Sequence, residues 1–179
     1  MPGEPFAQIL SEVRAFAATA DDLAALQNFI AGIIPARLPY YHWTGFYMLD
    51  PDDPATLVLG PFRGAPTVHV RIPVSQGICG AAVAQNSAVI VDDVNADPRY
   101  LACSLETRSE IVVPIRAGGA VIGEIDIDSH DLAAFSAEDR EFLEECAAIV
   151  GAFVLRSRPV RTSRPAGVPE SQDGSQASR

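Results

Sequence analysis

The sequence predicts an α+β domain in which helices pack against a central antiparallel sheet. Two helical patterns open the chain, short β-branched and aromatic segments parted by Gly, Pro and Asp fill its middle, and one capped helix closes it. A length of 179 residues, 48% of them hydrophobic and only 20% charged, suits one globular domain with a sizeable core.

The opening pattern runs from Phe6 to about Ile34. Phe6, Ile9, Leu10 and Val13 recur at helical spacing. A second start at Thr19 or Ala20, before Asp21 and Asp22, leads into Leu23, Leu26, Phe29, Ile30 and Ile33, and Pro35 and Pro39 are expected to end it. HWTGFYML (His42–Leu49) reads as an aromatic-rich strand, DPDDP (Asp50–Pro54) as a turn and TLVLGPF (Thr56–Phe62) as the returning strand. TVHVRIPV (Thr67–Val74) alternates like a third strand. SQGICGAAVAQ (Ser75–Gln85) opens on Gly77 and continues as a helix of small residues that suits close packing on a sheet. AVIVDDV (Ala88–Val94) gives another short strand, and NADPRYLACSLETR (Asn95–Arg108) a long polar loop of the kind that bears sites, here carrying Cys103.

The chain is organised around the next segment. SEIVVPI (Ser109–Ile115) and AVIGEIDID (Ala120–Asp128) read as a hairpin turned at Gly118 and Gly119, which suit positive φ. The period of two puts Ile125 and Ile127 on one face and Glu124, Asp126 and Asp128 on the other. Such a row of acids is either the solvated side of the strand or, because both strands are apolar for a stretch on both faces, a set of partly buried carboxylates that must be paired, hydrogen-bonded or protonated. A two-residue turn alone sets Glu110 opposite Ile127, on the wrong face to join Asp126 and Asp128; a longer loop, or a bulge near Pro114, would swing it round.

After the hairpin, FSAED (Phe135–Asp139) starts a helix with Ser136 as N-cap and Asp139 at the capping-box position. Phe142, Cys146, Ile149 and Phe153 then share one stripe, which makes Cys146 a core residue. The domain is expected over 1–155, followed by a disordered Pro-, Ser- and Arg-rich tail over 156–179.

Charge and composition exclude several functions. The net charge is −10, and five arginines against two acids give the tail +3, which leaves −13 for the remainder; neither nucleic acid nor an anionic membrane is an expected partner. All 13 basic residues are arginines. Without lysine there is no Walker-type phosphate site, no kinase phosphate lysine and no pyridoxal Schiff base, and no cofactor is expected. His42, His69 and His130 are isolated from the cysteines at any recognised ligand spacing, so no metal site is expected either. The start lacks the pattern of a signal peptide, no apolar run approaches a membrane span, and Cys79, Cys103 and Cys146 form an odd, widely spaced set. A reduced, cytoplasmic protein is expected.

HWTGFYML, LVLGPFRG, VRIPVSQGICGAAVA, ACSLETRSEIVVPI, GEIDIDS and FSAEDREFL, in this order, resemble the free methionine-(R)-sulfoxide reductases, small single-domain enzymes of GAF fold. The resemblance covers about Tyr40 to Val154. It implies that Cys103 is the nucleophile and that Glu110, Asp126 and Asp128 bind the free amino acid and the sulfoxide oxygen. It also implies that Trp43 and Tyr47 line the pocket for the S-methyl end, and that the three acids face one pocket, hence a bulge or altered register. The implied partners are free methionine (R)-sulfoxide and a reductant, thioredoxin or a small thiol; a homodimer stays open.

Two departures stand out. His69 occupies the position of the family's principal resolving cysteine, leaving Cys79, at a more peripheral position, as the internal candidate to resolve. The loop reads ACSLE where members often show a Cys-Asp pair. The competing expectation is a non-catalytic GAF module that binds a small ligand or senses redox state.

Overall fold

A computed structural model describes residues 3–102 and 104–157. Cys103, and the expected tail beyond residue 157, lie outside the described residues. The elements in chain order are α1 (Glu4–Ala17), α2 (Leu23–Arg37), β1 (Trp43–Leu49), β2 (Thr56–Arg63), β3 (Arg71–Pro73), α3 (Gly77–Gln85), β4 (Val89–Val91), β5 (Ser109–Ala117), β6 (Ala120–Ser129) and α4 (Ala137–Ser157). The strands form one antiparallel sheet of order β3-β2-β1-β6-β5-β4, which puts β1 and β6 at its centre. This is the α+β architecture the sequence predicts.

The helices start and stop for local reasons. Asp22 caps α2 by accepting from the Ala25 N–H at 2.8 Å. Pro35 does not end α2: it only forgoes one donor near the last turn, the helix runs on to Arg37, and the Leu38 N–H still reaches the Ile34 carbonyl at 2.9 Å. At α4 the Ser136 N–H donates to Asp139 Oδ2 at 2.8 Å while the Asp139 N–H donates to Ser136 Oγ at 3.3 Å, a reciprocal capping box with Asp in the usual Glu place. The strand expected over Thr67–Val74 shrinks to three residues. Val68 and Val70 are 83% and 53% exposed, so their alternation finds no face to bury and only Arg71–Pro73 pairs with β2.

The sheet has two unlike faces. On one, Phe46, Ile111, Val113, Ile115, Ile125 and Ile127 meet the apolar stripes of α1, α2 and α4 in the main core, where Cys146 is fully buried. On the other, α3 packs through Ile78, Cys79 and Ala82 against Trp43, Tyr47, Val89, Val91 and Val112 in a smaller cluster. The acids of β5 and β6 belong to this second face.

Candidate active site

The hairpin builds the site. Gly118 and Gly119 take φ of 63° and 84°, so the turn is the tight two-residue one, and Ala117 opposes Ala120 across it. Arg116 opposes Val121, but Ile115 opposes Gly123, so Ile122 is one residue too many for the ladder and forms a β-bulge. The bulge thus lies on β6 opposite Ile115 and Arg116, next to Pro114 on β5, where the sequence allows one. Its effect is the one required: beyond it Glu110 opposes Asp128 and Val112 opposes Asp126, so both strands present their acids on the same face.

On the other side of β6, Trp43 opposes Asp128, Gly45 opposes Asp126 and Tyr47 opposes Glu124. Gly45 is there for space. A Cβ at this position would collide with the Trp43 indole, coming 2.6 Å from Cζ3, so only glycine lets that ring lie along the strand. The indole is fixed at its other end by Nε1 donating to the Ala65 carbonyl at 3.0 Å.

Four carboxylates are therefore buried side by side: Glu110, Glu124, Asp126 and Asp128 are each at most 5% exposed. Among the described residues no ion pair reaches any of them. The Arg99 guanidinium, whose field reaches Glu110, is bound to Asp97 at 2.6 and 2.9 Å. The Thr107 hydroxyl donates to Asp128 Oδ2 at 3.3 Å, and the Cys79 thiol donates to Asp126 Oδ2 at 3.6 Å. Among the described residues, no hydrogen-bond partner reaches either oxygen of Glu124 or Oδ1 of Asp126, all of them buried.

Burial without compensating charge favours the neutral form of each of these groups. Loss of solvation pushes Asp128 up to about 7, against a slight pull down from Thr107. It pushes Glu124 up to about 8, with the Cys79 thiol pulling slightly the other way. Glu110 and Asp126 are raised well above the carboxylate range, first by burial and then by neighbouring carboxylates: Asp126 and Asp128 on Glu110, Asp128 and Glu124 on Asp126. The same burial, with Asp126 and Glu124 beside it, raises the Cys79 thiol far from its thiolate form.

The cluster opens at one end. A cleft of about 220 Å³ is lined by Trp43, Asp128, Thr107, Glu106, Ser104 and the stacked pair His42 and His130, among others. The two imidazole rings lie 3.9 Å apart, and His42 Nδ1 accepts from the His130 backbone N–H at 3.1 Å. Ser104 on its wall is the neighbour in sequence of Cys103. His69 Nε2 lies 3.2 Å from the carbonyl oxygen of Ala102, on the other side of Cys103 in sequence.

Of the residues proposed from sequence, Glu110, Asp126, Asp128 and Cys79 come together in the buried cluster, and Trp43 joins Asp128 on the cleft wall. Tyr47 lies deeper, 1% exposed behind Trp43, with its ring 6.3 Å from the indole and its hydroxyl donating to the His69 carbonyl at 2.7 Å. Glu124 lies on the acidic face by periodicity, but the resemblance does not place it among the site residues. Its total burial without a partner makes it a member. His42 and His130, far apart in sequence, gave no signal before the fold stacked them.

Comparison with known proteins points the same way. The family model of the GAF domain matches residues 6–154. The free methionine-R-sulfoxide reductase of Escherichia coli (strain K12) is 42% identical over 126 residues, spanning 70% of this chain and 73% of the relative. The enzyme of that name from Saccharomyces cerevisiae is 43% identical over 110 residues, 61% of each chain. The X-ray structure of free methionine-R-sulfoxide reductase from Neisseria meningitidis, in complex with its substrate, superposes with a TM-score of 0.79 at 36% identity, covering 84% of this chain and 90% of that one.

Proposed function

This chain belongs to the free methionine-R-sulfoxide reductases of the GAF fold, and on that footing we propose that it reduces free L-methionine (R)-sulfoxide to L-methionine, with Cys103 as nucleophile. The observation that carries the substrate assignment is the buried group of carboxylates that opens, at Asp128, into a cleft walled by Trp43. A free amino acid brings an ammonium group, and such a set of acids is its natural receptor. The Trp43 indole offers an apolar wall for the S-methyl end.

The reaction needs both protonation states that this environment provides. The Cys103 thiolate attacks the sulfoxide sulfur, and the sulfoxide oxygen is protonated by a carboxylic acid kept neutral near pH 7. Glu110 and Asp126, raised furthest by burial and mutual repulsion, are suited to donate that proton, while Asp128, at about 7 and beside the cleft, is suited to hold the ammonium. The oxygen passes to sulfur: thiol plus sulfoxide gives sulfenic acid plus methionine. A second thiol then condenses with the sulfenic acid, releasing water and leaving a disulfide that a further thiol reduces.

The second thiol is external in our reading, supplied by thioredoxin or a small thiol. Two observations support this. His69 stands where the family's principal resolving cysteine is expected, and the Cys79 thiol is buried against Asp126 and held in its neutral form.

The test is turnover with free methionine (R)-sulfoxide and dithiothreitol, reading methionine formed, beside Cys103→Ser. The wild-type chain turns over and the variant loses about 10³-fold or more, as loss of a nucleophile does. A Cys79→Ser chain that still turns over with thioredoxin supports the external route. A folded wild-type chain that makes no methionine would replace the enzyme reading with that of a ligand-binding GAF module.

A further inference from the structure

The cluster also has the makings of a metal site. Cys79 Sγ from α3, a carboxylate oxygen of Glu110 from β5 and one of Asp126 from β6 all lie within 4.8 Å of one another, with Sγ and Asp126 Oδ2 3.6 Å apart. Each ligand comes from a different element of the packed domain, so the three are held together without any of them lying on a loop. Beside them Glu124 is fully buried, and neither of its oxygens, nor Asp126 Oδ1, has a hydrogen-bond donor. A group of four buried acids and a thiol, with no cation paired to it among the described residues, is a place where a positive ion is favoured twice over: it satisfies the lone pairs and cancels the like charge.

We propose that Cys79, Glu110 and Asp126 bind a single zinc ion. One thiolate with two carboxylates is a donor set for a borderline divalent cation rather than for magnesium or calcium, which take oxygen alone. Zinc–ligand bonds of about 2.0–2.3 Å in a tetrahedron set ligand atoms roughly 3.3–3.8 Å apart, so the cluster closes by about 1.5 Å at most to reach that geometry. Asp128, which opposes Glu110 and faces the cleft, or a water molecule there, supplies the fourth position. Binding replaces the ligand protons: zinc displaces the thiol proton of Cys79 and whatever carboxyl protons Glu110 and Asp126 carry, giving zinc–thiolate, two zinc-bound carboxylates and the freed protons. If the same carboxylates receive the substrate ammonium, as proposed above, zinc and free methionine sulfoxide exclude one another, and the ion is an inhibitor that acts at the substrate site. That last clause rests on the proposed function; the metal site does not.

The experiment uses the full chain carrying Cys103→Ser, which removes the proposed nucleophilic thiol and makes turnover irrelevant. Zinc chloride is titrated calorimetrically in two buffers of different ionisation enthalpy, and cobalt(II) is added separately to look for a thiolate-to-metal charge-transfer band. The expected result is one equivalent of zinc, release of the protons that the thiol and the two carboxyl groups carry, and a cobalt–thiolate band. Adding Cys79→Ser should remove the band and weaken zinc by at least about 100-fold, beyond the loss of an outer partner. Asp126→Asn, which keeps the thiol and the side-chain volume, should weaken zinc while the band shifts, and it decides the matter if Cys79→Ser does not fold. Cys146→Ser, in the core on the far face, should change nothing. No binding, or binding that survives both Cys79→Ser and Asp126→Asn, as it would if the ion sat at the exposed His130 and Glu106, overturns the proposal. Zinc that binds as described but is not displaced by methionine sulfoxide upholds the metal site and tells against the ligand reading of the acids.

Discussion

The two faces of the central sheet are made by the same strands and obey opposite rules. Along β6, Ile125 and Ile127 point into a core closed by three helices, while Glu124, Asp126 and Asp128 alternate with them into a space closed by α3 and loops. Both sets are buried to the same degree, 0–4% exposed. The isoleucines gain from that burial; the acids lose by it, because among the described residues no ion pair reaches them. A fold that keeps three carboxylates in successive facing positions of one strand, plus Glu110 from the next, keeps them at the expense of stability, and that cost is the ground on which we propose a functional role for this face.

The contrast can be broken first from the acidic side. Glu110→Gln or Asp126→Asn should lower kcat/KM by about 10²–10⁴-fold, the usual contribution of a placed acid. Neither should lower the thermal midpoint at pH 8, since each removes a buried carboxylate that no ion pair reaches among the described residues. Loss of activity together with loss of stability would mean that the acids are structural.

Ile127→Ala, one residue along the same strand, should do the reverse. Deleting a fully buried branched side chain costs about 2–5 kcal/mol in denaturant unfolding, while kcat/KM at 25 °C stays within a few-fold of the parent. A collapse of activity in folded protein would show that the two faces are not separable.

pH sharpens the comparison. Glu124 is raised from 4.5 to about 8 and Asp128 from 3.8 to about 7, so between those limits the native state holds protons that the unfolded chain has released. Their contribution to stability is complete below about 4 and is lost as pH rises through 7 to 8. Denaturant titrations should therefore show stability falling from pH 5 to pH 8, and Glu124→Gln should flatten part of that slope; a slope unchanged by the substitution would show that Glu124 does not titrate there. The smallest effect is expected at the surface, where Arg14→Ala breaks the half-exposed pair with Glu145 and should change stability by only about 0.2–1 kcal/mol with no effect on turnover.

Much of this contrast was legible in the sequence. The period of two in GEIDIDS separates isoleucines from acids, and the Gly118–Gly119 turn, the capping box at Ser136 and the core place of Cys146 all follow from local chemistry. What was not legible depended on non-local packing. The bulge at Ile122 carries no residue signature, since isoleucine is an ordinary strand residue; only the resemblance required that Glu110 change faces. The short β3 failed because alternation in Thr67–Val74 predicts a strand only where a surface waits to be covered. Glu124 was visible, but its total burial is imposed by α3, which is distant in sequence. The stacking of His42 on His130 likewise exists only once β1 and β6 pair.

The central claim is that the acidic face is a receptor for the ammonium of a free amino acid. Its most direct test compares free L-methionine (R)-sulfoxide with N-acetyl-L-methionine (R)-sulfoxide, which keeps the reacting sulfur and the carboxylate but has no ammonium to present, in the same dithiothreitol-driven assay. Buried carboxylates that read the ammonium predict turnover of the free amino acid and a loss of about 10²-fold or more in kcat/KM for the acetylated one, as when a charged group loses its buried partner. Equal turnover of the two would contradict the account: the acids would then serve the sulfoxide alone, and the selectivity would have to lie elsewhere in the cleft.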